Sequence, residues 1–440
     1  MNTLLTNGTV YFDHEWKNAD LLITDDKLFV FDDKHMIDLP NPDRSFSCDG
    51  KIILPGFTDV HVHFREPGYS YKETIRTGTD AALRGGYTCV CTMPNLDPVP
   101  STKDGLKAQL DPIRADGRIH VVPYGAITIL QDGRSELSDM EALAPFVCGF
   151  TDDGKGIQDK GLMRAAMETA AALGKPIAAH CEDESLLGGT AIHDGIYAES
   201  IGHTGISSRS EWAQIERDIR LADDTGCAYH VCHVSTKESV EIIRDAKKSN
   251  VDVTCETGPH YLTLSDKDLL GLDPALPENG RFKMNPPIRG EADKIALLTG
   301  LADGTVDMIA TDHAPHSAEE KSRGILNSAF GVVGLETAFP VLCARLVETG
   351  LLTLESLADK MSGAPRRRFS LPGLPELHYG EFPLTGNDCA DLTVIDPRAR
   401  YRINPETFAG KGRATPFDGW TVSGKVIMTI AGGVVRFQAE

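Results

Sequence analysis

The sequence predicts an α/β fold, a TIM (β/α)8 barrel, with a small β-sheet domain built from both chain termini. Strand-like apolar runs alternate with helical stretches from Gly56 onward, as they do in a parallel sheet. Eight such strands occur, the number that a barrel of this type requires. Both ends of the chain contain short strands instead. We therefore expect residues 56–371 to form the barrel, and residues 1–55 and 372–440 to form the two parts of the small domain.

The first segment contains strand-like runs joined by turns and no helical periodicity of useful length, in TLLTNGTVYF, ADLLITDDKLFVF and FSCDGKIILPG. The last segment returns to the same pattern, in DCADLTVIDP and WTVSGKVIMTIAGGVVRF. The two segments together predict one small sheet domain.

The eight barrel strands are predicted, in order, at FTDVHVHF, YTCVCTMPN, IHVVPYGAI, FVCGFTDDG, PIAAHCED, CAYHVCHVS, VDVTCETGPHYL and VDMIATDHAPH. Helical stretches such as KGLMRAAMETAAALGK lie between them. Polar residues stand at the C-terminal ends of these runs. In a barrel of parallel strands those ends meet at one rim, where barrel enzymes carry their chemistry.

Composition excludes several classes of protein. The 440 residues carry a formal net charge of −20 without a basic tract, which argues against nucleic acid and anionic membranes as partners. No apolar run reaches about 18 residues, and the chain does not begin like a signal peptide. The ten cysteines are scattered without a CxxC pair, so we expect reduced, buried thiols, a cytoplasmic protein and no sulfur-ligated zinc.

Histidines and carboxylates at the predicted rim indicate a metal site. Alternate residues of a strand share a face, so two histidines one residue apart in VHVHF project together. Taken singly, each histidine could simply cap its strand. As a set in barrel order, nitrogen and oxygen donors suit a catalytic zinc site. The set is His61, His63, His180, His233, Asp312 and one of the adjacent Asp152 and Asp153. The alternation of side chains along a strand does not decide between Asp152 and Asp153. It does predict that His230 faces the helices.

The chain resembles a known family in several segments, namely DVHVHFREPG, CTMPN, FTDDG, ETGPHYL, KMNPPIR, ATDHAPH and FGVVGLE. Together they are similar to the type I bacterial dihydroorotases of the amidohydrolase superfamily, over nearly the whole chain. The resemblance implies reversible hydrolysis of (S)-dihydroorotate to N-carbamoyl-L-aspartate in de novo pyrimidine biosynthesis.

The resemblance also implies two Zn²⁺ ions per subunit. His61, His63 and Asp312 would hold the first ion, and His180 and His233 the second. In many relatives a carboxylated lysine of strand four bridges the ions. That strand offers no lysine at its end here, and Asp153 resembles the bridging carboxylate of the type I enzymes. Asp312 resembles the catalytic proton shuttle.

The implied substrate contacts come from four segments of the chain. Arg65, Asn95 and His316 resemble the groups that hold the substrate carboxylate. The planar guanidinium of Arg65 can bind a carboxylate bidentately. The ring edge would be read by Asn285 and the backbone at Phe330 and Gly331, and His63 would also touch the substrate. The loop 317–329 could act as a mobile lid.

Two alternatives stay open on the residues alone. One is another cyclic amidohydrolase, such as an allantoinase or dihydropyrimidinase. The other is a non-catalytic partner of aspartate carbamoyltransferase, although such chains typically lack metal ligands. We expect a small-molecule substrate, a homodimer and possible association with that transferase.

Overall fold

The computed structural model describes residues 2–12, 15–25, 27–31, 41–372 and 390–439. Its strands are β1 Asn2–Phe12, β2 Glu15–Thr24, β3 Lys27–Phe31, β4 Arg44–Ser47, β5 Ile52–Pro55, β6 Phe57–Val62, β7 Tyr87–Thr92, β8 His120–Pro123, β9 Gly125–Ala126, β10 Phe150–Thr151, β11 Ile177–Ala179, β12 Tyr229–Val231, β13 Val253–Thr257, β14 Met308–Ile309, β15 Leu392–Arg402, β16 Thr421–Ala431 and β17 Val434–Gln438.

The α-helices follow the same order and lie mostly between the strands of the central region. They are α1 Ile75–Arg84, α2 Lys103–Asp116, α3 Met140–Leu143, α4 Lys160–Ala172, α5 Ile196–Ser200, α6 Arg209–Thr225, α7 Lys237–Lys248, α8 Pro259–Thr263, α9 Glu291–Asp303, α10 Ala318–Lys321, α11 Gly324–Asn327, α12 Ala338–Leu342, α13 Leu354–Met361 and α14 Gly363–Phe369. None of the helices in the described ranges is long and apolar enough to cross a membrane.

Both ends of the chain contribute strands to one eight-stranded sheet, in the order β17-β16-β15-β5-β1-β2-β3, with β4 paired to β1. The two ends meet where β5 pairs antiparallel with β15, with Ile53 opposite Val394. These two side chains are fully buried in an apolar cluster that also contains Leu21 and Leu392. The strands of this sheet come from the two terminal segments that the sequence predicts to form strands. The boundaries at residues 55 and 371 stay predictions.

The middle of the chain is a mixed α/β region with parallel strands only. β6, β7 and β8 form one sheet, and β14-β13-β12-β11-β10-β9 form another. Tyr124 alone separates β8 from β9, and its N–H donates to the Thr92 carbonyl at 3.0 Å. At the opposite side Val62 forms a parallel bridge with His313, just beyond β14. Helices cover these strands, and side chains on both faces are buried, as in all-parallel sheets.

One face of the parallel strands forms an apolar cluster below the polar rim. It joins Val60 of β6, Cys91 of β7, Ala178 of β11 and Met308 of β14, with Phe369 of α14 packed against it. The cysteines in the described ranges are buried, as the sequence predicted. This cluster is the floor beneath the strand ends that carry the polar residues.

Candidate active site

The histidines and aspartates predicted at the rim lie together in the structure. His61 belongs to β6, and the others lie one to three residues beyond the ends of β6, β10, β11, β12 and β14. All of them are buried. They are His61, His63, Asp153, His180, His233 and Asp312. Their side chains converge because each follows the carboxyl end of a parallel strand.

The Asp153 carboxylate is in contact with all four imidazoles. Its Oδ1 lies 3.3 Å from His61 Nε2, 3.5 Å from His233 Nε2 and 3.7 Å from His180 Nδ1. Its other oxygen, Oδ2, lies 3.5 Å from His63 Nε2. One carboxylate therefore stands between the pair of histidines from β6 and the pair from β11 and β12.

Asp152 is placed differently, although it is the adjacent residue. Its oxygens accept hydrogen bonds from the backbone N–H groups of Ile127 at 2.8 Å, Thr128 at 3.1 Å and Gly133 at 3.1 Å, and from the Thr128 hydroxyl. Burial raises the pKa of the Asp152 carboxyl to about 6, against the effect of these hydrogen bonds. Asp152 thus anchors the loop that follows β9.

Asp312 completes the cluster from the opposite side. Its Oδ1 lies 3.1 Å from His63 Nε2 and 3.5 Å from His61 Nε2. Asp312 has φ 47° and His233 has φ 34°, both in the left-handed region that non-glycine residues seldom adopt. Such backbone conformations persist where the surroundings enforce them, often at functional sites. Here they turn the two side chains inward just beyond their strands.

The donor set fits a divalent metal ion. Ligand atoms within 4.8 Å of one another occur in the triplets His61–His63–Asp312 and His61–Asp153–His233. His61 Nε2 and Asp153 Oδ1 are buried and have no hydrogen-bond partner in the described part of the chain. Unpaired buried polar atoms are costly unless something else binds them. Imidazole and carboxylate without sulfur are the usual donors of catalytic zinc sites.

The charges in this cluster also shift the pKa values of its members. Burial by itself raises the pKa of the Asp153 carboxyl, but the facing imidazoles of His61 and His233 hold that pKa well below its usual range. For His61, burial lowers the pKa, but Asp153, Glu256 and Asp312 raise it well above its usual value. Protons and metal ions therefore compete for the same nitrogen, so acid favours metal release.

A cavity of about 220 Å³ opens beside the cluster. Every residue predicted to contact substrate lines it, namely His63, Arg65, Asn95, Asn285, His316, Phe330 and Gly331. Asp153, His180, His233 and Asp312 line it too. The structure thus brings the predicted ligand set and the predicted substrate contacts to one cavity.

Charged groups of both signs surround His316 at one part of this cavity wall. Its Nε2 donates to the Phe330 carbonyl at 2.7 Å, and its Nδ1 lies 3.3 Å from Lys72 Nζ. Burial and the nearby charges of Arg65, Lys72 and Lys321 lower the pKa of His316 to about 3, so the imidazole is neutral near pH 7. Lys72 Nζ also pairs with Glu320 Oε1 at 2.9 Å, and Glu320 Oε2 lies 3.5 Å from His316 Nδ1. Arg65 is therefore the cation at the cavity wall that suits an anionic group. Sequence reasoning missed Lys72.

The segment predicted as a lid contains the short helices α10 and α11. Lys321 Nζ donates to the carbonyls of Lys283 at 2.9 Å and Ala329 at 2.8 Å, and so ties this segment to the stretch just before Asn285. Gly331 N–H also donates to the Lys283 carbonyl at 3.1 Å. These bonds place the Phe330 and Gly331 backbone at the cavity. Mobility of the segment stays a prediction.

Comparison with known proteins agrees with the geometry. Residues 50–239 match the family model described as Dihydro-orotase-like. The chain is 45% identical over 449 residues to the dihydroorotase of Bacillus cereus (strain ATCC 10987 / NRS 248) and equally to that of Bacillus thuringiensis (strain Al Hakam). Each alignment covers 100% of this chain and 99% of the relative. The chain belongs to the dihydroorotase family.

Solved structures of other cyclic amidohydrolases share the fold. The L-hydantoinase (dihydropyrimidinase) from Arthrobacter aurescens has a TM-score of 0.83 at 23% identity, covering 100% of this chain and 96% of that chain. The dihydropyrimidinase from Brevibacillus agri NCHU1002 has a TM-score of 0.82 at 21% identity, covering 100% and 95%. At these identities the likeness concerns the fold alone.

In this dihydroorotase-family site, a second layer of contacts orients His61. Its Nδ1 lies 2.7 Å from Glu256 Oε1, and Glu256 Oε2 lies 3.2 Å from His230 Nε2. A carboxylate only accepts, so Glu256 holds the proton of His61 on Nδ1 and leaves Nε2 free to face Asp153. Sequence reasoning missed Glu256. The signal was present, because Glu256 is the one charged residue in the strand VTCET of β13.

The prediction that His230 faces the helices is wrong. His230 is fully buried and packs at 5.1 Å between ring centroids against Phe369, on the apolar floor beneath the rim. The prediction extended strand alternation to His233, but β12 ends at Val231 and His233 has a left-handed φ. Both histidines therefore point to the same side.

Proposed function

We propose that the chain is a type I dihydroorotase that hydrolyses (S)-dihydroorotate reversibly to N-carbamoyl-L-aspartate in pyrimidine biosynthesis. Similarity at 45% identity along the whole chain to dihydroorotases supports this activity. The observation that carries the site assignment is the Asp153 carboxylate, which contacts four imidazoles beside a cavity of about 220 Å³. The two parallel sheets are proposed to form one (β/α)8 barrel, consistent with the bridge between Val62 and His313.

The proposed centre holds two Zn²⁺ ions per subunit. His61, His63 and Asp312 would hold one, and His180 and His233 the other, with Asp153 shared between them. Divalent ions bound there would lower the pKa of a water toward neutrality and polarise the amide carbonyl. We also propose a cytoplasmic homodimer, with possible association with aspartate carbamoyltransferase.

The protein's own groups would supply the proton transfers. Asp312 lines the cavity, and its Oδ1 lies 3.1 Å from His63 Nε2. We assign it as the group that accepts the proton of the attacking water and passes it to the ring nitrogen as the carbon–nitrogen bond breaks. Amide nitrogen is a poor leaving group until it gains that proton. In ring closure the same carboxyl acts in reverse.

Arg65 and its neighbours would select the substrate by its carboxylate. Arg65 Nε donates to the Pro315 carbonyl at 3.3 Å, which places the guanidinium beside His316. Dihydroorotate carries a carboxylate that dihydrouracil lacks. A second candidate function is that of a dihydropyrimidinase, the name of a solved structure with the same fold, and the fold by itself does not decide between the two. Arg65 at the cavity wall favours dihydroorotate.

Substitution Arg65→Lys is expected to lower kcat/KM for dihydroorotate by about tenfold to a hundredfold. The reason is that the ammonium group of lysine replaces a planar guanidinium that can donate two parallel hydrogen bonds to a carboxylate. Steady-state assays with dihydroorotate and dihydrouracil measure this. Arg76→Lys is the matched control, since Arg76 lies on α1 and pairs with Asp80 at 3.4 Å. Comparable wild-type turnover of the two compounds would support the dihydropyrimidinase function instead.

A further inference from the structure

The side-chain amide of Asn285 is held at one end and unsatisfied at the other. Its Nδ2 donates to Glu182 Oε1 at 3.1 Å. Its Oδ1 is buried and has no hydrogen-bond partner among the residues that the structure describes. Asn285 also lines the active-site cavity. A buried amide oxygen without a partner at a cavity wall is available for a donor brought by a ligand.

Glu182 determines which end of the amide faces it. An amide can rotate by half a turn, and its neighbours decide between the two orientations. A carboxylate offers acceptors only, so the NH₂ group must face Glu182 and the oxygen must face away. In the reverse orientation, the Asn285 oxygen would face another acceptor and its donors would lose their partner.

His180 does not compete for this amide. Its Nδ1 faces the cluster, 2.9 Å from His233 Nε2 and 3.7 Å from Asp153 Oδ1. When Nδ1 offers its lone pair to a metal ion, the ring proton is on Nε2. That nitrogen lies 3.4 Å from Asn285 Nδ2 and is then a donor facing a donor. Glu182 alone then accepts the Asn285 N–H.

The Glu182 backbone is itself fixed. Its N–H donates to Gln214 Oε1 at 3.1 Å, and its carbonyl accepts from Gln158 Nε2 at 2.9 Å. Its side chain is 19% exposed, and its Oε2 lies 3.9 Å from His180 Nε2, so the two carboxylate oxygens face the Asn285 amide and the His180 ring. The direction of the Asn285 amide is therefore set before any ligand enters.

We propose that Glu182 is a positioning residue that makes Asn285 a hydrogen-bond acceptor toward the substrate, so that Asn285 Oδ1 reads a ring N–H of a cyclic ureide. This inference rests on the proposed dihydroorotase function. It adds a specificity element distinct from the carboxylate-binding groups. A ureide ring carrying N–H fits the site, and a ring methylated on the nitrogen that meets Asn285 loses the hydrogen bond and meets a steric obstacle.

A double-mutant cycle tests the inference with the metal-loaded enzyme. Glu182→Ala is expected to lower kcat/KM for dihydroorotate by at least about tenfold, chiefly through KM, with unchanged zinc content. In an Asn285→Ala background the same change is expected to cost less than about twofold, because Glu182 acts through Asn285. Glu182→Gln keeps an acceptor and should recover part of the loss.

The matched control is Glu184→Ala, two residues further along the chain, where the side chain pairs with Arg134 at the surface. Its kcat/KM should equal that of the wild type. The preference for dihydroorotate over its ring N-methyl derivatives should fall in both Glu182→Ala and Asn285→Ala. Additive effects in the cycle, or zinc loss in Glu182→Ala, would overturn the inference. Absence of dihydroorotate turnover in the wild type would instead overturn the proposed function.

Discussion

Asp153→Ala is expected to lose most of its bound zinc and nearly all of its activity. The carboxylate contacts His61, His63, His180 and His233 within 3.7 Å, so its removal takes a shared donor from both halves of the cluster. It also leaves imidazoles that repel one another when protonated. Metal analysis of the purified variant, together with dihydroorotate hydrolysis, measures both effects.

Asp152→Ala is the matched control for this prediction. Asp152 accepts hydrogen bonds from the loop between Ile127 and Gly133, and these bonds hold its carboxylate away from the imidazole cluster. We expect a loss of roughly 3 kcal/mol in the free energy of unfolding, because buried N–H groups lose their acceptor. Folded protein should keep its zinc. Equal zinc content in the wild type and Asp153→Ala would refute the bridging assignment.

Asp312→Asn is expected to abolish hydrolysis and ring closure together, by about a hundredfold to ten-thousandfold, while zinc stays bound. One carboxyl serves as base in one direction and as acid in the other, and an amide can do neither. Assays in both directions on metal-loaded variant measure this. Near-normal hydrolysis with zinc bound would assign the proton transfer to another group, and His316 would be the first to examine.

Hydrolysis and ring closure are expected to respond to pH in opposite ways. Burial by itself raises the pKa of Asp312, but His61 and His63 hold it below its usual value. The carboxylate required for hydrolysis therefore persists to acid pH. Ring closure consumes one proton, so the equilibrium shifts toward hydrolysis by about tenfold for each unit of rising pH while ionisation states stay fixed.

Much of the fold and the site could be predicted from the sequence because parallel strands impose strong patterns. Buried runs alternate with helices, and polar residues at the carboxyl ends of the strands must meet at one rim. This geometry brings together His61, Asp153 and His233, which are far apart in the chain. The terminal strands likewise share one sheet because neither set alone covers its apolar face.

Alternation fails where a strand stops. β10 ends at Thr151, so the strand period does not decide between Asp152 and Asp153, and the hydrogen bonds to the 127–133 loop do. β12 ends at Val231, so His233 does not continue the strand period, and the direction that this period predicted for His230 was wrong. Glu256 is the one charged residue of β13, but its partner His61 is distant in sequence, as His316 is from Lys72, so the sequence did not show what Glu256 and Lys72 contact.

Zinc titration of metal-stripped protein, with dihydroorotate ring opening followed in the ultraviolet, tests the central claim most directly. We expect no turnover without metal, and a return of activity as zinc binds that levels off at two ions per chain. Full dihydroorotate turnover by the metal-free protein would contradict a metal-dependent dihydroorotase site at this cluster.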